Sequence, residues 1–118
     1  MSDSIAQYID HAVLLPTQTH ADLEVACTLC DQLGVASICV KPSMVSRAAE
    51  LLADSSVKVS TVIGFPHGGT STAAKAAEAE QACQDGAVEL DMVVNIGRSL
   101  AGDYAYVEED IRQVVAVA

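Results

Sequence analysis

Two carboxylates, Glu89 and Asp91, stand two residues apart inside an otherwise apolar run, GAVELDMVVNIG at residues 86–97. Side chains alternate along a strand, so both acids face the same side of whatever sheet this run joins. On that geometry they are either a general acid/base pair or one catalytic acid with a structural partner. The plainer alternative is that one or both bond to backbone or to a structural base across a core. A third acid, Asp10, lies in a second short apolar run, IDHAVLLP at residues 9–16. His11 beside it reads as a satisfied structural histidine ahead of a catalytic one.

Two further groups could do chemistry. GFPHGG (residues 64–69) is a glycine-rich loop that feeds a helix, a position where backbone N–H groups can cradle phosphate, but it lacks the spacing of a Walker loop or a dinucleotide fingerprint. A plain tight loop is the simpler reading, with His67 a polar loop residue. Among the lysines, Lys41 alone ends a strand-like run, ASICV, on the side where barrel enzymes keep their chemistry; Lys58 opens its run and Lys75 lies in a helix. An amine nucleophile must be neutral, and an ordinary lysine of pKa ~10.4 is neutral in only about one molecule in two thousand at pH 7. Lys41 has no basic neighbour in sequence to change that, and reads as a hydrogen-bonding or surface residue ahead of a nucleophile.

The elements that must position these residues alternate along the chain. Residues 8–15 form a strand candidate stopped by Pro16. A helix follows from Thr19, with Asp22 three residues on in the manner of a capping box, to Gly34. A second strand (36–40) leads through Lys41 and Pro42 into a helix over 43–55, and a third strand (58–64) precedes the glycine-rich loop. An alanine-rich helix runs from Ser71 to Gly86, a fourth strand covers 87–95, IGRSLAGD reads as a loop, and a last helix spans 104–118.

This repeat of about 27–30 residues is the length of one βα unit, and short connections make the strands parallel with right-handed crossovers. Two α/β architectures satisfy it, an open doubly wound sheet or half of a TIM (β/α)8 barrel; both gather ligands at the C-terminal ends of their strands. The acids favour the half barrel. A sheet covered on both faces would bury Asp10, Glu89 and Asp91 without partners, at a cost that a polar barrel mouth avoids.

Composition narrows the partners. With 6 basic residues against 16 acidic ones, a net charge of −10, the chain is poorly suited to nucleic acid or an anionic membrane. Hydrophobic residues are 51% of the chain but aromatics only 3%, so the core must be aliphatic. Cys27, Cys30, Cys39 and Cys83 read as reduced thiols, the Cys27–Cys30 spacing falling mid-helix with no strand and turn before it. The opening MSDSIAQYIDH has no basic or long apolar stretch, and no window approaches 18 apolar residues, so a soluble cytoplasmic protein is expected.

IDHAVLLP, ASICVKPSMV, KVSTVIGFPHGGTSTAAKAAEAEQA and DGAVELDMVVNIGRSLAGDYAYVEEDI resemble, in that order, the N-terminal half of deoxyribose-phosphate aldolases. The likeness covers roughly residues 5–118. It implies a TIM barrel and a class I aldolase that cleaves 2-deoxy-D-ribose 5-phosphate to D-glyceraldehyde 3-phosphate and acetaldehyde through a lysine Schiff base, with no metal or other cofactor. By that likeness Asp91 is the proton donor and acceptor, Asp10 lines the same pocket, Glu89 is a structural neighbour, and Lys41 stands where asparagine is expected. The family's Schiff-base lysine lies in a later stretch like KTSTGF, and a second lysine that tunes it in one like KASGG; neither occurs in this chain. The phosphate-holding segments are also later. Residues 1–118 are thus expected to be one N-terminal half-barrel unit that stops before the fifth strand and is inactive alone. Its unpaired sheet edges invite a second copy or a complementing C-terminal half.

Overall fold

A computed structural model describes residues 4–118; residues 1–3 of the expected unit lie outside the described residues. Four strands, β1 (Asp10–Val13), β2 (Ser37–Val40), β3 (Lys58–Ile63) and β4 (Glu89–Met92), pair in parallel in chain order, β1-β2-β3-β4. Between and after them come α1 (His20–Leu33), α2 (Val45–Leu51), α3 (Thr72–Gln84), α4 (Ile96–Leu100) and α5 (Tyr104–Val117).

The strand order decides between the two architectures. A doubly wound sheet reverses direction so that its helices cover both faces, whereas right-handed crossovers that always step the same way put every connecting helix on one face. Here they always step the same way. The chain is therefore four consecutive βα units of a (β/α)8 barrel, with the face that would line the barrel left open.

Burial agrees with that reading. Val13, Ile38, Val40 and Val59, on the helix side of the sheet, pack with Leu23, Ala26, Cys27 and Cys30 of α1 and Val45 and Ala48 of α2. Ile63, Ala79 and Val114 form a smaller cluster under α3 and α5, with Leu90 and Met92 against it. All four cysteines are free thiols. Burial pushes the Cys27 thiol up, and that of Cys30 to about 11.

Local chemistry sets the ends of the elements. Thr19 and Asp22 make the expected reciprocal cap on α1: the Thr19 N–H donates to Asp22 Oδ2 at 2.7 Å, and the Asp22 N–H to Thr19 Oγ1 at 3.3 Å. These bonds from Thr19 hold the Asp22 carboxyl below its ordinary range. The helix stops at Gly34, which is left-handed at φ 66°.

Four elements differ most from the sequence reading, the fourth strand among them: expected over 87–95, it forms only over Glu89–Met92. The strand expected over 8–15 shrinks to β1, because Ile5–Tyr8 wind into a 3-10 turn capped by Ser4. The helix expected over 43–55 is a 3-10 turn at Pro42–Met44 followed by the short α2. IGRSLAGD is not all loop: Asn95 Oδ1 accepts the Arg98 N–H at 3.1 Å and starts α4, a helix of 5 residues, too short for periodicity to reveal.

Candidate active site

The open face carries the polar residues. Register and alternation set Asp10 beside Ser37, Cys39 beside Ser60, Ser60 beside Glu89, and Val62 beside Asp91. Curvature of the sheet then brings together side chains from strands that are not neighbours. Carboxylate oxygens of Asp10 (β1) and Asp91 (β4) and the Cys39 sulfur (β2) all lie within 4.8 Å of one another. Asp10 is oriented by Ser37, whose hydroxyl donates to Oδ1 at 2.6 Å. The Cys39 thiol faces Asp91 Oδ2 at 4.0 Å, a weak contact that leaves the Asp91 carboxylate open to solvent.

Three such ligand atoms could in outline hold a metal ion. The donor chemistry argues otherwise: burial above all pushes the Cys39 thiol up, against the opposing pull of the Ser60 hydroxyl, and the nearby carboxylates of Asp10, Asp91 and Glu89 add smaller pushes in the same upward direction. A metal needs the thiolate, which these surroundings disfavour. What the cluster offers is a pair of carboxylates reachable by water, suited to taking and returning protons.

The other sequence candidates separate. Glu89 stands one pleat nearer the N-terminal end of β4 and lines, with Gln7, Ser37, Ser56 and Lys58, a cavity of about 480 Å³ at that end. Lys41 does stand at the C-terminal end of β2, on the rim of a cleft of about 520 Å³ shared with Leu14, Leu15, Phe65 and Glu78. Its ammonium donates to the Gln18 carbonyl at 2.8 Å and so ties down the loop after β1. His67 is exposed and His11 half-buried on the helix side of β1. In the glycine-rich loop, the Gly64 N–H donates to Glu78 Oε1 at 2.8 Å and the Gly68 N–H to the Gly64 carbonyl at 2.7 Å, so these two donors are already used internally.

One pair was not foreseen. Lys75 of α3 and Asp110 of α5, each 1% exposed, form a buried ion pair at 2.5 Å. The signal was present in outline: Lys75 lies four and seven residues before the buried Ala79 and Ala82, and Asp110 four before the buried Val114, so both occupy core positions of their helices.

The fold is that of half a (β/α)8 barrel, and the carboxylate cluster lies on the face that would line it. The chain belongs to the DeoC/LacD family aldolases, whose profile matches residues 4–118. It is 52% identical over 117 residues to a deoxyribose-phosphate aldolase of Carboxydothermus hydrogenoformans, covering 99% of this chain and 51% of the relative. A crystallised candidate deoxyribose-phosphate aldolase from Coccidioides immitis superposes with a TM-score of 0.95 at 43% identity, over 97% of this chain and 45% of that one. A tetrameric deoxyribose phosphate aldolase from Aeropyrum pernix does so with a TM-score of 0.75 at 26% identity, over 90% of this chain and 48% of that one. The chain spans about half the length of the curated relatives it matches. Among the described residues, no helix is long and apolar enough to cross a membrane.

Proposed function

We propose that this chain supplies the acid/base half of a deoxyribose-phosphate aldolase site, with Asp91 as the proton shuttle. The observation that carries the reading is the meeting of Asp91 and Asp10 on the open face, within 4.8 Å although their strands lie at opposite edges of the sheet. In a Schiff-base cleavage of 2-deoxy-D-ribose 5-phosphate, the carbinolamine must lose its hydroxyl as water. After the carbon–carbon bond breaks, the enamine must gain a proton on carbon before acetaldehyde is released. Each step moves one proton, and a solvent-open carboxylate relays it through water. Asp10, held by Ser37, borders the same space and keeps it polar.

No lysine of this chain is offered as the nucleophile. Lys41 is spent on the Gln18 carbonyl, Lys58 opens β3 at its N-terminal end, and Lys75 is locked to Asp110. The amine then comes from a complementing segment that also closes the barrel against β1 and β4, and residues 1–118 act as one N-terminal half-barrel unit without turnover of their own. Charge favours that partner over a second copy. The open face presents Asp10, Glu89 and Asp91 against Lys58, so a second copy would set acids against acids, while a lysine-bearing half would neutralise them. Four free thiols and a phosphorylated sugar substrate fit a cytoplasmic setting.

The test is borohydride trapping with acetaldehyde, read by intact mass, on this chain alone and on the chain joined to a family C-terminal half. The expected result is an adduct only in the joined protein, where Asp91→Asn lowers kcat by roughly 10² or more. An adduct on the chain alone, or unchanged turnover in the Asp91→Asn variant, would overturn the reading.

A further inference from the structure

We infer that Lys75 and Asp110 form a buried brace that positions Asp91, an inference that rests on the reading of Asp91 as the acid/base residue. The Lys75 ammonium makes two bonds: 2.5 Å to Asp110 Oδ2 and 3.0 Å to the carbonyl of Val93. Val93 lies two residues past Asp91, and its own N–H donates to the Ile63 carbonyl at 2.9 Å. The peptide groups that follow Asp91 are therefore fastened on one side to β3 and on the other to α3 and, through Asp110, to α5.

Two glycines clear the way for this arrangement. At Gly64 an added Cβ would lie 2.9 Å from Lys75 Cε, so the lysine stem crosses the end of β3 only because that residue has no side chain. At Gly68 an added Cβ would lie 2.0 Å from the Val94 carbonyl oxygen, so the loop after β3 rests directly on the next peptide group. Three separate parts of the chain thus converge on Val93 and Val94, the second and third residues after Asp91.

Stability does not account for an ion pair in this place. Desolvating both charges offsets most of their attraction, and well-packed apolar residues of similar size usually do as well or better. The arrangement even leaves Asp110 Oδ1 buried with no partner, a further cost. What the pair supplies, and apolar packing would not, is a directional hold on one carbonyl. A fixed Val93 carbonyl sets the pitch of β4 at its end, and with it the direction of the Asp91 carboxylate towards Asp10.

The test replaces the pair by apolar residues, Lys75→Met with Asp110→Leu, so that no unpaired charge is left buried. The double variant is expected to fold with a urea midpoint at or above that of the parent. Its Val93 amide should exchange at least about ten-fold faster, and the Asp91 side-chain carboxyl carbon should lose its single NMR resonance to several. Joined to a family C-terminal half, it should lose about ten-fold or more in kcat with KM within about two-fold, a split that a merely structural role would not produce. A second swap, Lys75→Leu with Asp110→Met, serves if the first packs poorly. Parent-like exchange at Val93, an unchanged Asp91 resonance and parent kcat would overturn the brace. The two readings fail separately: full activity in Asp91→Asn with faster Val93 exchange in the double variant would remove the acid/base assignment and keep the brace.

Discussion

Gly68→Ala tests how tightly the loop after β3 is seated on the end of β4. Gly68 is left-handed, at φ +68°, where alanine costs about 1 kcal/mol relative to glycine. Conformation is the smaller part. The new Cβ would lie 2.0 Å from the Val94 carbonyl oxygen, far inside ordinary contact, and that neighbour is backbone, which cannot rotate aside. Moving the loop away costs the bond from the Gly68 N–H to the Gly64 carbonyl, 2.7 Å long and worth about 1 kcal/mol. Displacing packed backbone adds about 1–3 kcal/mol. The expected loss is roughly 3–5 kcal/mol, which for a chain of this size lowers Tm by roughly 10–25 °C. Thermal unfolding followed by circular dichroism reads it directly. Gly102→Ala is the control, since Gly102 is also left-handed, at φ +75°, but has nothing within 4 Å of an added Cβ. It should lose only the conformational part, about 1 kcal/mol. If the two variants melt within about 2 °C of each other, close approach to Val94 is not what demands glycine at position 68.

Two further outcomes follow from caps and buried thiols. Ser71 caps α3 by accepting the Ala74 N–H at 3.2 Å, so Ser71→Ala should cost about 1 kcal/mol and lower the urea midpoint by about half a molar unit; an unchanged midpoint would show that the cap contributes nothing. Burial holds the Cys30 thiol at about 11 against an ordinary 9.0. Between those values the unfolded chain has lost a proton that the folded chain keeps, so stability is fully present below about pH 9 and falls as pH rises towards about 11. Urea midpoints measured from pH 8 to 11 should decline less steeply in Cys30→Ala, and parallel declines would exclude this thiol as a cause.

Much of the fold was legible because local signals agreed with one another. The reciprocal Thr19–Asp22 cap, the left-handed Gly34 and the β-branched run ending in Ile63 each fix one boundary by short-range chemistry. Elements with weak local signals were misjudged in extent. Tyr8 and Ile9 look like strand, but a 3-10 turn over Ile5–Tyr8 uses the Ile9 N–H, which donates to the Ala6 carbonyl, so β1 begins at Asp10. The helix α4 rests on a single asparagine cap and has no apolar period to announce it.

At the site, the sequence alone determined that Glu89 and Asp91 share a face, because alternation along a strand is a local property. It also determined that four βα units follow one another, and that Lys41 ends a strand while Lys58 begins one. Tertiary structure alone decided that Asp91 meets Asp10 and that Glu89 lines a cavity with Ser37 and Lys58. It also decided that Lys41 bonds the Gln18 carbonyl and that Lys75 finds Asp110. The reason is one of range. Alternation and capping act over two to four residues, whereas these meetings depend on how a curved sheet and two packed helices bring distant segments within a few ångströms, and no local pattern encodes that curvature.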